Sequence, residues 1–338
     1  MAETLATNPR VFETTEILIS NMSLPLRLNA LGTPEQHTAY VRAIGADGIE
    51  FMPLGFGRFT SRLLGCASVV ERASAVSGIE PTPELREADL IAASLIRSTH
   101  SSFHDGSNPK NPITHLVPSW KRSLAQMARI QQIAGPQSAV LYPQFGGKPI
   151  TYTSENAPFT ARTFQPTPAE WRRFGLTEHS SADKIRAAIG SQGFDGSTWD
   201  VFHCEIGEED KLFRNSTALA ARLAASGITI AVHASLNRTD FRAASPEKRE
   251  ASKKARNAFV KSPEAALRTR EGAMLQAIIE ASRLPDGHTT LKHIVLEDGP
   301  FRTDRHLKEK HRAILETLQT LAMASSVQNS IMTRNQPN

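Results

Sequence analysis

Asp200 and His203 stand three apart in the stretch GSTWDVFHCEIG, Gly196 to Gly207. A carboxylate and an imidazole so spaced, closing a short β-branched and aromatic run, suit a metal or a substrate at a strand end. They equally suit an ordinary strand end. What lifts them above that reading is repetition. Glu50 lies in the run DGIEFMPL, His100 closes LIRSTH with His104 four residues on, and Glu155 falls in ITYTSEN. His233 closes ITIAVH and Glu297 closes HIVLE. Each alone reads as a hydrogen-bonded or solvated residue. Together they put ionisable groups beside runs as apolar as ITIAV and HIVL, where such groups are costly unless a cation or partners compensate them. Two Glu, an Asp and a His make a mainly oxygen-donor set with one nitrogen, suited to a divalent ion such as Mn²⁺, Mg²⁺ or Zn²⁺.

The elements that must position these residues follow from hydrophobic periodicity. Strands are expected at 16–22, 47–54, 95–100, 138–144, within STWDVFH, at 228–235 and within 291–300. A helix is expected over TPEQHTAYVRAIG, opened by Thr33 with Pro34 at its first position. Further helices are expected over most of 246–284 and over RHLKEKHRAILETLQTLAMA. The run KPITYTSEN, 148–156, also has strand composition, but only FGGK separates it from the strand before. A parallel crossover needs at least ~10 residues, so the two form a hairpin or one of them is not a barrel strand. If ITYTSEN is an insertion hairpin, Gln144 replaces Glu155 as the candidate ligand and a proton-transfer base is missing.

Alternation of strand and helix implies α/β architecture with a parallel sheet, closed as a barrel or open and doubly wound. Neither GxGxxG after the first strand nor GxxxxGK[ST] occurs, and GFGRF at 55–59 lacks a third glycine. An open nucleotide-binding sheet would lead with such a loop, so a (β/α)8 TIM barrel is favoured. The expected organisation is an N-terminal extension over 1–14, one barrel domain over 15–326 and a disordered tail over 327–338. In such a barrel the chemistry sits at the C-terminal ends of the strands, where these residues fall.

The 338 residues are 40% hydrophobic and 22% charged, and no apolar run approaches the ~18 residues of a membrane span. A soluble protein without a membrane partner is expected. The segment MAETLATNPRVFETTE has early acidic residues and no apolar core, which is unlike a secretory signal and makes a cytoplasmic location the expectation. Cys66 and Cys204 are too few for a disulfide framework or a cysteine-built zinc site. Net charge is +5, with nine Lys or Arg against three Glu from Arg242 to Arg270. The interspersed Glu residues favour a solvated helix over a nucleic-acid surface.

At these residues the sequence resembles the xylose-isomerase-like barrel superfamily, which includes sugar isomerases, ketose 3-epimerases, inosose dehydratases and the endonuclease IV class. GADGIEF, STH, SEN at 154–156, WDVFH, AVH and VLED carry the resemblance, in the family's order and over most of the chain. It implies an eight-stranded barrel with one divalent ion, Mn²⁺, Mg²⁺, Co²⁺ or Zn²⁺, held by Glu155, Asp200, His233 and Glu297. By the same analogy Glu155 and Glu297 act as acid and base, His203 binds a substrate hydroxyl, and Glu50 or His100 lines the pocket. The implied partner is a small sugar-like molecule, in a chain open to homo-oligomerisation. The nuclease branch expects a histidine at the fourth strand, where this chain has LYPQ, and an Asp-x-His after the seventh, where it has Asp240-Phe-Arg242. Phosphodiester hydrolysis of abasic DNA is therefore the second reading, and a barrel serving only as a binding protein the third.

Overall fold

The computed structural model describes residues 12–20, 23–25, 28, 33–51, 95–102, 140–144, 149–154, 157–162, 180–181, 183–184, 187, 197–199, 229–236, 246–298 and 306–334. Seven described strands pair in parallel: β1 (Glu16–Ser20), β2 (Gly48–Phe51), β3 (Ile96–Ser102), β4 (Val140–Gln144), β7 (Ser197–Trp199), β8 (Ile230–Ser235) and β9 (Leu291–Glu297). Their order follows the sequence, and β9 pairs with β1, so the ladder returns to its start. The remaining two, β5 (Pro149–Ser154) and β6 (Ala157–Arg162), form a separate antiparallel hairpin.

That hairpin settles the crowded 138–156 region. The four residues between β4 and β5 are too few for a parallel crossover, and β5 turns onto β6, with Ser154 opposite Ala157. β4 pairs instead with β7, Gln144 opposite Thr198. The eight parallel strands expected of the barrel are thus seven among the described residues, and 148–156 is not one of them.

Contacts between strands that are not neighbours identify the inner face. Glu16 of β1 meets Arg97 of β3 across β2, and His233 of β8 meets Glu50 of β2 across β9 and β1. With a period of two, the inner face of β1 carries Glu16, Leu18 and Ser20, and that of β9 carries His293, Val295 and Glu297. The register agrees, pairing Glu16 with His293, Leu18 with Gly48 and Val295, and Ser20 with Glu50. The alternate set, including Ile17, Ile19, Ile49, Ile294 and Leu296, is apolar and buried. β1, β2, β8 and β9 are therefore covered on both sides, as parallel sheets require.

The floor of the ring is charged but paired. Glu16 accepts from the Arg97 guanidinium and lies 2.7 Å from His293 Nε2. Burial pushes the Glu16 carboxyl up, but the hydrogen bonds and charges of His293 and Arg97 outweigh it and hold the group at about 2. Burial pushes the His293 imidazole down, with Glu16 pulling against it. Gly48 makes the crossing of Arg97 feasible, because a Cβ there would sit 2.3 Å from Arg97 Cγ.

Five described helices accompany the strands: α1 (Pro34–Ile44), α2 (Pro246–Lys261), α3 (Pro263–Leu267), α4 (Arg270–Ala281) and α5 (Leu307–Arg334). α1 begins as its sequence predicts. The Thr33 side chain accepts from Gln36 N–H, the Gln36 side chain accepts from Thr33 N–H, and Pro34 fills the first turn. It stops at Gly45, whose φ of 78° is left-handed and natural only to glycine. α5 runs to Arg334, through the segment read as a tail. No Gly or Pro interrupts the sequence before Pro337, so nothing ends the helix earlier. None of the helices among the described residues is long and apolar enough to cross a membrane.

Candidate functional site at the C-terminal strand ends

Three strands bring three of the expected residues together. Glu50 is the third residue of β2, His233 the fourth of β8 and Glu297 the last of β9. His233 Nε2 lies 2.7 Å from Glu50 Oε2, and both side chains are at most 1% exposed. An ionised carboxylate offers only lone pairs, so an imidazole that donates to Glu50 does so with its proton on Nε2. In the neutral imidazole this leaves Nδ1 with a lone pair. Nδ1 lies 3.9 Å from Glu297 Oε2, beyond hydrogen-bond range, and the Glu297 side chain is 12% exposed. Glu50 is thus sealed inside the ring, while Glu297 reaches its open end.

The donor set fits a divalent ion in one respect. The 3.9 Å between Nδ1 and Oε2 is less than twice a ~2.1 Å metal–ligand bond, so one ion can touch both atoms. Two donors do not make a site, and among the described residues no group of three His, Cys, Asp or Glu converges to hold a metal. The other expected ligands, Asp200 and Glu155, lie outside the described residues, as do His203 and His104. Asp200 directly follows β7, next to β8 in the ring. Glu155 falls between the two strands of the hairpin rather than after a ring strand. Gln144, the substitute considered for it, ends β4. His100 lies within β3, which continues to Ser102, and pairs in register with Tyr142.

Behind Glu297 is a buried cluster that sequence reading did not find. Arg256 of α2 grips Asp298 with two hydrogen bonds, Nε to Oδ1 at 2.6 Å and Nη2 to Oδ2 at 2.5 Å. His311 of α5 places Nε2 3.3 Å from Oδ2, and Tyr40 of α1 lies 3.0 Å from His311 Nδ1. The Asp298 backbone N–H donates to Ser23 Oγ at 2.7 Å. Burial pushes the Asp298 carboxyl up, yet the hydrogen bonds and charges of His311 and Arg256 bring it below the usual carboxylate range. Asp298 follows Glu297 in VLED, but its partners are too distant in sequence for any local pattern to announce them. Of the basic segment 242–270, Arg256 is therefore spent internally, while Lys253, Lys254 and Lys261 are exposed.

No family model matches the sequence, and no curated protein matches it. Among solved structures the chain is similar to a D-allulose 3-epimerase from Methylomonas sp., with 12% identity, 92% of this chain and 99% of that chain covered, and a TM-score of 0.36. It is also similar to the 7,8-dihydropteroate synthase of Vibrio fischeri ES114, with 9% identity, 96% and 95% covered, and a TM-score of 0.38. Similarity at this level assigns no activity to the chain.

Proposed function

We propose that the chain is a divalent-metal-dependent isomerase or epimerase of the xylose-isomerase-like class, acting on a small polyhydroxylated substrate by carboxylate-mediated proton transfer. The observation that supports this reading is the meeting of Glu50, His233 and Glu297, from three strands, at the C-terminal end of the parallel ring. Mn²⁺, Mg²⁺, Co²⁺ or Zn²⁺ would be held by His233 and Glu297 with Asp200 and Gln144, since Glu155 falls between the strands of the hairpin rather than after a ring strand. When bound, it would polarise a carbonyl and its neighbouring hydroxyl. The chain's own residues do the rest. Glu50 fixes the imidazole so that Nδ1 faces Glu297, as outer carboxylates orient ligating histidines. Glu297 moves a proton at the substrate carbon, and His203 binds a hydroxyl.

The test is exchange of a carbon-bound proton. The protein is incubated in D₂O with each of the four ions and a panel of ketoses and aldoses, and proton NMR follows loss of the C–H signal beside the carbonyl. Exchange with at least one sugar is expected, slowed about 10²- to 10⁴-fold in Glu297→Gln. No exchange with any sugar under any ion contradicts the proposal and leaves a binding protein or a phosphodiesterase as the reading.

A further inference from the structure

Successive side chains of a strand point to opposite faces, so where Glu297 turns into the ring, Asp298 turns out toward the helices. Glu297 is the last residue of β9, and its ladder contact is to β8, opposite Ser235, with its carbonyl accepting from Leu236 N–H at 3.0 Å. The next anchor along the chain is Asp298. Its carboxylate takes the bidentate Arg256 and faces His311, and its backbone is tied to Ser23. Tyr40 completes the set. Its hydroxyl lies 3.0 Å from His311 Nδ1, and burial first, then the charges of Asp298 and Glu309, push it well above the ordinary phenol range.

A buried ion pair is an expensive way to gain stability, since apolar packing of equal volume often does as well. What it supplies is direction, because a bidentate guanidinium admits one carboxylate geometry. We infer that Asp298 is the positioning residue of Glu297: clamped from outside by Arg256, His311 and Tyr40, it sets the angle at which Glu297 enters the ring toward His233. Arg256 lies on α2, which follows β8 in the chain, so the clamp also ties the segment after His233 to the residue after Glu297. This role rests on the proposed function for its purpose but not for its test.

The test uses the full chain in Asp298→Asn and Tyr40→Phe forms. Ring-nitrogen NMR, without metal, reads His233, assigned by the signal missing from His233→Asn. Both variants are expected to move the His233 resonances, Asp298→Asn the further. Mn²⁺ affinity is expected to fall about 10- to 100-fold in Asp298→Asn, the usual cost of losing an outer-shell partner. Variants that melt earlier but leave the His233 resonances and Mn²⁺ affinity at wild-type values overturn the inference, because a clamp that only stabilises predicts that result. If Asp298→Asn does not fold, Tyr40→Phe decides, since it removes a single hydroxyl. A wild type that takes no Mn²⁺ overturns the proposed function, and the resonances still decide the clamp.

Discussion

Replacing Glu16 by Gln removes the one carboxylate between Arg97 and His293 and so measures what the charged floor contributes. In the folded chain this carboxyl stands at about 2 against an ordinary 4.5, and its side chain is 24% exposed. That difference corresponds to about 3 kcal/mol of stability at neutral pH, as an upper figure because glutamine keeps part of the hydrogen bonding. The sign follows from the direction. A carboxyl depressed on folding stabilises above its unfolded value near 4.5, and the contribution is lost as pH falls toward 2. His293 is depressed too, and Glu16 pulls it back up, so stability falls below pH 6.5 in the wild type and falls further in Glu16→Gln. Urea unfolding at pH 7 should show Glu16→Gln less stable by about 2–3 kcal/mol, and repeated at pH 3.5 it should show a different margin, since Glu16 and His293 both titrate in between. Equal stabilities at pH 7, or a difference that ignores pH, would refute the reasoning and mean that solvent screens the cluster.

The crossing of Arg97 over β2 gives a second, steric prediction. Gly48→Ala places a Cβ 2.3 Å from Arg97 Cγ and 2.8 Å from the Leu95 carbonyl oxygen, and should cost about 1–3 kcal/mol in urea unfolding. Wild-type stability there would mean that Arg97 moves aside freely. At the strand ends, Glu50→Gln keeps the shape of the side chain but removes the charge facing His233, so Mn²⁺ affinity should fall about 10- to 100-fold. Unchanged binding in a calorimetric titration would show that Glu50 does not orient the imidazole.

Much of the ring was legible because β1, β8 and β9 are short apolar runs buried on both faces. ITIAVH and HIVLE became β8 and β9, and the inner positions carried their polar ends into one place. Thr33-Pro34 and Gly45 marked α1 because caps are local chemistry. The hairpin was harder. Four residues after β4 ruled out a crossover, but its second strand, APFTAR, has no strong alternation and was not expected. Glu50 was expected as a pocket-lining residue, and its seat against His233 depends on strands with two others between them. The Asp298 cluster was invisible for the same reason. Tyr40 and His311 are 271 residues apart, and an Arg in a basic, mostly exposed helix looks like any other surface charge. Local periodicity reports which face a residue takes, not which distant side chain waits there.

The central claim is that His233 and Glu297 hold a catalytic ion at the end of the ring. Elemental analysis of protein purified without chelator, then of apoprotein reconstituted with Mn²⁺, Mg²⁺, Co²⁺ or Zn²⁺, tests it in wild type beside His233→Ala and Asp200→Ala. About one equivalent per chain in wild type, lost in both variants while they remain folded, is the predicted result. Metal content that is the same in all three proteins, or wild type that binds no ion after reconstitution, would contradict the account.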